Sequence, residues 1–111
     1  MSARSRRLVL SRPAEDDLAN IARWTAEQFG KKQAEVYVDA ILDTIAELIV
    51  REPARSKARD EITVGLRTLH MATRGRRGRH LLMYTASDDL LTVVRILHDS
   101  MEVSLHLPDF E

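Results

Sequence analysis

The sequence has no cysteine and no long apolar run. With no cysteine among its 111 residues, the chain has no disulfide framework, no thiolate zinc site and no cysteine nucleophile. The apolar residues nearest the start, Leu8 to Leu10, fall far short of the ~7 to 15 residues of a secretory signal. No membrane-spanning run is visible either. We therefore expect no contact with a membrane, and a cytoplasmic location fits these absences.

Motifs for metal and phosphate binding are also missing. The chain has 4 histidines, but they show no HExxH-like spacing and no cysteine companions, which excludes the common zinc patterns. Gly75 and Gly78 lack the lysine and the preceding strand of a phosphate loop. We expect neither a metal nor a cofactor.

The composition is that of an ordinary folded protein, with 44% hydrophobic and 31% charged residues. Such a length and composition predict a single domain over residues 1–111. The formal net charge is +0, yet positive charge is concentrated in two local patches, which matter more than the total. These patches contain Arg4, Arg6, Arg7 and Arg12 near the start, and Arg74, Arg76, Arg77 and Arg79 later.

Two helices are predicted in the first half of the chain. After a short strand at Leu8 to Leu10, Ser11 and Pro13 form a helix-start signal, and Gly30 provides a C-terminal stop. Apolar residues at helical spacing continue from Ala34 until Pro53 ends the second helix. Because the connection is short, we expect the two helices to lie antiparallel and to need a sheet as cover.

The second half of the chain predicts three strands. Leu66 to Met71 and His80 to Tyr84 alternate with period two, and Leu90 to Leu97 is apolar on both faces, as in a central strand covered twice. The helix pair covers one face of this strand, and either the tail from Met101 to Leu107 or a partner protein covers the other. The order β-α-α-β-β-β predicts an α+β fold, with the antiparallel helical hairpin on one face of a small antiparallel sheet.

Several short motifs resemble those of one known family. The segment from Arg95 to His98, followed by Met101 and Glu102, resembles the closing motif of ParE toxins, although that family usually carries aspartate in place of Glu102. The resemblance extends over nearly the whole chain. Its other carriers are Asp17-Leu18, Ile21 and Trp24 in the first helix, Ala34 and Tyr37 in the second, and Gly65-Leu66-Arg67 at the opening of the sheet.

This resemblance to the ParE branch of the RelE/ParE superfamily implies a function. It implies a toxin of a type II toxin–antitoxin system that binds DNA gyrase, stalls replication and performs no catalysis. It also implies a ParD-like antitoxin that neutralises the toxin within a hetero-oligomer. The segment from Ala72 to Arg79 is more basic than the family hairpin usually is, which adds contact with gyrase-bound DNA as an option.

The resemblance and the patterns together suggest residues that bind the target or the antitoxin. Trp24 is either an edge packing residue or an exposed interface anchor. The arginine cluster is either a solvated hairpin tip, a contact for an acidic antitoxin, or a phosphate contact. The predicted binding residues are Trp24, Arg67, Arg74, Arg76, Arg77, Arg79, Val93, Arg95, Leu97, His98, Met101, Val103 and Leu105.

Two alternative functions stay open at this point. RelE-type toxins of the same superfamily cleave messenger RNA on the ribosome, which requires a base, an acid and cations for the phosphorane charge. His98 and Tyr84 would supply the base and the acid, and Arg67 and Arg79 the cations. The simpler interpretations are a structural histidine, a core or rim tyrosine and an ion-paired arginine. The third hypothesis is a non-toxic interaction domain with the same fold.

Overall fold

The computed structural model describes residues 6–50, 56–71, 78–101 and 103–106. Within this part of the chain, two helices pack on a five-stranded sheet. No helix in it is long and apolar enough to cross a membrane. The elements are β1 (Arg7–Leu10), α1 (Arg12–Phe29), α2 (Lys31–Val50), β2 (Lys57–Ala58), β3 (Arg67–His70), β4 (His80–Ala86), β5 (Leu90–His98) and a 3₁₀ turn (Val103–Leu105).

The helical hairpin begins and ends where the sequence predicts. The Ser11 hydroxyl caps α1 by accepting a hydrogen bond from the Ala14 backbone N–H at 3.1 Å. Gly30 closes the helix with a φ of 97°, a conformation that favours glycine, and α2 starts at the next residue. Ser11 also donates its hydroxyl to the Val94 carbonyl at 2.6 Å, which ties the start of α1 to β5.

The sheet is mixed, whereas the sequence pattern predicted an antiparallel one. Its strand order is β1-β5-β4-β3-β2. The pairs β2–β3, β3–β4 and β4–β5 are antiparallel, but β1 runs parallel to β5, with Arg7 opposite Leu90. The two helices and three strands lie between β1 and β5 in the chain, so no tight hairpin fixes their relative direction. The two-residue β2 was not predicted, because two residues are too few to show an alternating pattern.

Side chains of β5 are buried on both faces of the sheet, as its apolar sequence predicted. Leu91 and Val93 belong to the core beneath the helices, and Val94 and Leu97 belong to a second core on the other face. Val93 and Leu97 are four positions apart and would lie on the same face of a regular strand. A register shift between Met83 and Tyr84 places them on opposite faces. The second core also contains Ile62, Leu66, Leu81, Met83 and Val103. The tail therefore contributes to the second cover through Val103, one of the two alternatives that the sequence left open.

Candidate functional site

Three of the predicted binding residues lie inside the folded chain. Val93, Leu97 and Val103 are only 0%, 2% and 5% exposed. Val93 packs in the core under the helices, and the other two pack in the core on the opposite face. These side chains contribute to stability and offer no surface to a partner in this conformation.

Arg95 joins three segments of the chain. Its guanidinium donates to both carboxylate oxygens of Asp17 at 2.7 and 2.8 Å, and to the His106 carbonyl at 2.9 Å. Asp17 in turn accepts the Ile96 backbone N–H at 2.9 Å. The hydrogen bonds from Arg95 to Asp17 raise the pKa of the guanidinium. Arg95 therefore links α1, β5 and the tail, and each of its three guanidinium nitrogens donates within the chain.

Tyr84 and Arg67 meet at one end of the sheet, with Ser56 between them. Tyr84 is 0% exposed, and its hydroxyl forms a hydrogen bond with the Ser56 hydroxyl. Arg67 donates to the Ser56 hydroxyl at 2.8 Å and to its carbonyl at 2.9 Å. His98 is paired with His80 at the other end of β4. The set His98, Tyr84 and Arg67, suggested for ribonuclease chemistry, is thus not assembled in one place.

Other predicted residues are exposed. Trp24 is 55% exposed and contacts Phe29 edge to face, with 5.9 Å between ring centroids. Met101 and Leu105 are also exposed. An exposed aromatic pair is the kind of feature that anchors protein interfaces. Arg74, Arg76 and Arg77 lie outside the described residues, while Arg79 is described and exposed.

A groove runs between α1 and α2. Small apolar side chains line it, and charged residues of both signs accompany them. Such a surface suits the apolar side chains of a partner helix or extended segment. The lining residues are Ala22, Arg23, Ala26, Lys31, Ala34, Glu35, Val38 and Asp39.

A group of titratable side chains lies where β4 begins and β5 ends. The Tyr37 hydroxyl is 2.6 Å from His80 Nδ1. The rings of His80 and His98 are perpendicular, with centroids 5.4 Å apart. Burial, and then the neighbouring His98, lower the pKa of His80 to about 4, and burial raises the pKa of Tyr37. At neutral pH the pair is therefore an uncharged phenol beside an uncharged imidazole.

Asp99 extends this group to His70, at the end of β3. Its carboxylate accepts hydrogen bonds from His70 Nε2 at 2.9 Å and Arg79 Nε at 3.1 Å. These two bonds lower the pKa of Asp99 to about 2, so the carboxylate is charged at neutral pH. Among the described residues, no group of three or more histidine, cysteine or acidic side chains is arranged to hold a metal ion.

Sequence patterns did not suggest Tyr37, His80 or Asp99 as site residues. The pairing of the predicted strands is the signal that could have found His80, because His80 begins β4, His98 ends β5 and the two strands lie side by side. Tyr37 reaches them from α2 because Gly78 leaves room: a Cβ on Gly78 would be 2.9 Å from the Tyr37 hydroxyl oxygen. Such packing between distant segments is not visible in local periodicity.

Comparisons with known proteins agree in pointing to one family. Residues 8–103 match the family model described as the ParE toxin of the type II toxin–antitoxin system parDE. The chain is 30% identical over 98 residues to the protein Toxin ParE1 of Caulobacter vibrioides, and the match covers 88% of this chain and 94% of that protein.

Solved structures support the same fold. A chain from a structure of the chromosomal ParDE TA system of P. aeruginosa superposes with a TM-score of 0.67 at 19% identity, covering 85% of this chain and 96% of that one. A chain from the E. coli DinJ–YafQ toxin–antitoxin complex gives a TM-score of 0.55 at 16% identity, covering 87% and 96%. At these identities the structural matches establish the α+β arrangement of helices and sheet.

Proposed function

Because the chain belongs to the ParE family of toxins of type II toxin–antitoxin systems, we propose that it arrests replication by binding DNA gyrase. The exposed Trp24–Phe29 pair on α1 carries this proposal. Both rings are more than half exposed, at 55% and 64%, and a tryptophan that can become buried against a partner is a frequent source of binding energy.

We propose that inhibition works by binding, without catalysis. Of the residues suggested for ribonuclease chemistry, Tyr84 is buried and Arg67 donates to Ser56, at the end of β4 opposite His98. A general base must lie within hydrogen-bonding reach of the proton it removes. The separation of these groups favours a toxin that acts by occupying its target.

A ParD-like antitoxin is the partner expected to neutralise the toxin in a hetero-oligomer. The groove between α1 and α2 supports this proposal, since it offers Ala22, Ala26, Ala34 and Val38 to apolar side chains of such a partner. An antitoxin seated there would lie on the same hairpin that carries Trp24. The antitoxin would then compete with the target for α1, and the toxin could bind its target only after the antitoxin is removed.

The direct test is supercoiling by purified DNA gyrase with added toxin. We expect the wild-type chain to block supercoiling and the Trp24→Ala variant to lose at least about tenfold in potency, the effect of ~1.4 kcal/mol at an interface anchor. Val36→Ala is the matched control, because Val36 on α2 is also 55% exposed. It should inhibit like the wild type.

Parallel measurements in cells separate the competing functions. After induction from a tight promoter, DNA synthesis should stop while messenger RNA stays intact. Rapid cleavage of messenger RNA with normal supercoiling would replace the proposal with a ribonuclease. Normal growth and normal supercoiling in the presence of folded protein would leave an interaction domain without toxicity.

A further inference from the structure

The end of the sheet where β4 begins and β5 ends presents several hydrogen-bond donors that have no acceptor among the described residues. We call Tyr37, Arg79, His80, His98 and Asp99 the histidine end. We propose that the histidine end binds a phosphate group of a nucleic-acid backbone, with Arg79 and His98 as the contacting residues. This proposal goes beyond gyrase inhibition and does not depend on it.

His98 is held in the tautomer that donates outward. The Ser100 backbone N–H donates to His98 Nδ1 at 3.2 Å, and the Ser100 hydroxyl lies 2.7 Å from the same nitrogen. Since Nδ1 accepts a hydrogen bond, the proton of the neutral ring is on Nε2. The His98 side chain is 37% exposed, and its Nδ1 is 3.6 Å from the Asp99 carboxylate, farther than from either Ser100 group. Its Nε2–H is therefore available to an acceptor from solvent.

His80 supports His98 from inside the chain. The Tyr37 hydroxyl lies 2.6 Å from His80 Nδ1. Because burial raises the pKa of this phenol, it keeps its proton, and we assign that proton to the hydrogen bond with His80 Nδ1. His80 consequently carries its proton on Nε2, like His98. Within the described part of the chain, His80 Nε2 has no hydrogen-bond partner. The perpendicular packing of the two rings fixes the orientation of His98.

Arg79 provides the positive charge. Its Nε donates to Asp99, but its side chain is 72% exposed, and no described group accepts from its two terminal nitrogens. Asp99 acts as a positioning residue: it fixes the Nε edge of the Arg79 guanidinium and leaves the two terminal nitrogens available to a second anion. The Asp99 N–H also donates to the Arg79 carbonyl at 2.6 Å, which holds the two backbones together.

A nucleic-acid phosphate fits these donors better than a carboxylate does. Phosphate contacts combine arginine forks with neutral donors such as imidazole, hydroxyl and backbone N–H groups. The sequence immediately before this end is also rich in positive charge, since Arg74, Arg76 and Arg77 precede Arg79. Positive charge repeated along the chain matches a polyanion, in which phosphates recur at regular spacing.

The test is fluorescence anisotropy of labelled oligonucleotides with the purified full chain and no gyrase. We expect low-salt binding that weakens about tenfold in Arg79→Ala and in His98→Ala, since each loses a hydrogen bond to a charged group. The slope of log affinity against log salt should fall by about 1 in Arg79→Ala only. Arg7→Ala is the matched control: it removes an exposed arginine opposite Leu90, at the other end of β5.

Two conservative variants distinguish loss of a contact from loss of the fold, and two types of oligonucleotide distinguish the possible ligands. Arg79→Lys keeps the charge and should bind with intermediate affinity, and His98→Gln keeps a neutral donor and should retain more binding than His98→Ala. Duplex DNA and single-stranded RNA of one sequence show which backbone is preferred. Equal losses in Arg7→Ala and Arg79→Ala, or no binding by the wild type, would overturn the proposal and leave the gyrase test unaffected.

Discussion

Two arginine–aspartate pairs lie at β5, and they differ in how many of the arginine's donors they use. Arg95 and Asp17 have side chains that are 21% and 13% exposed, and Arg95 bonds to the tail as well as to Asp17. Arg79 and Asp99 are 72% and 23% exposed, and the pair holds Arg79 through Nε. The first pair organises the fold, and the second leaves an arginine free to bind.

The comparison shows how an arginine's role follows from what surrounds it. A guanidinium removed from water needs acceptors for its donors, because unsatisfied charge is costly in the interior. Arg95 meets this need with a carboxylate and a carbonyl from two other segments. An exposed guanidinium stays hydrated and can exchange water for a ligand. Both arginines were predicted as binding residues, yet all three guanidinium nitrogens of Arg95 donate within the chain, whereas the terminal nitrogens of Arg79 have no acceptor among the described residues.

The largest effect is expected from breaking the buried pair. Asp17→Asn removes the charge that faces Arg95 and should lower the free energy of unfolding by about 3 kcal/mol, near the range for breaking a buried ion pair. Asp16→Asn is the matched control, because Asp16 is 68% exposed and lies 3.9 Å from Arg12. It should change stability by less than about 0.5 kcal/mol. Urea unfolding at pH 7 measures both, and equal effects would contradict a structural role for Arg95.

An intermediate effect is expected at His80, in the dependence of stability on pH. Its pKa in the folded chain is about 4, below the usual 6.5, so the unfolded chain binds more protons between these values. Stability should therefore fall as the pH drops from about 6.5 to about 4, by about 1 to 2 kcal/mol after allowance for solvent screening of a half-buried group. Asp99, with a pKa of about 2, stays ionised in this window.

The variant that tests this is His80→Gln, which can still accept the Tyr37 proton. It should remove most of the pH dependence between 6.5 and 4, because glutamine does not titrate. His106→Gln replaces another histidine and should preserve the slope. Urea unfolding across this range, with a slope in His80→Gln as steep as in the wild type, would show that other groups carry the dependence.

Much of the fold could be predicted from the sequence because its signals are local. Ser11 caps α1 and Gly30 ends it, both visible within a few residues of the helix. The apolar stripes of the helices and the two-sided burial of β5 follow from side-chain periodicity. The parallel pairing of β1 with β5 could not be predicted, since it joins Arg7 to Leu90 and no local turn specifies the direction.

The candidate site was harder to predict for the same reason. The partner of Arg95 is Asp17, 78 positions away, and Tyr37 reaches His80 across 43 positions. Without these pairs, the sequence predicted Arg95 as a binding residue and did not suggest His80 as a site residue. The residue types were visible in the sequence, but whether a donor was satisfied or free depended on packing between distant segments.

The smallest stability effect is expected at the exposed pair. Arg79→Ala should change the free energy of unfolding by less than about 1 kcal/mol, because surface ion pairs contribute little. Asp99 keeps its hydrogen bond from His70 at 2.9 Å in this variant, so the carboxylate is not left without a partner. A loss as large as that of Asp17→Asn would mean that Arg79 holds the end of the sheet together. The two pairs would then no longer differ in role, and there would be no reason to regard the terminal nitrogens of Arg79 as available to an anion.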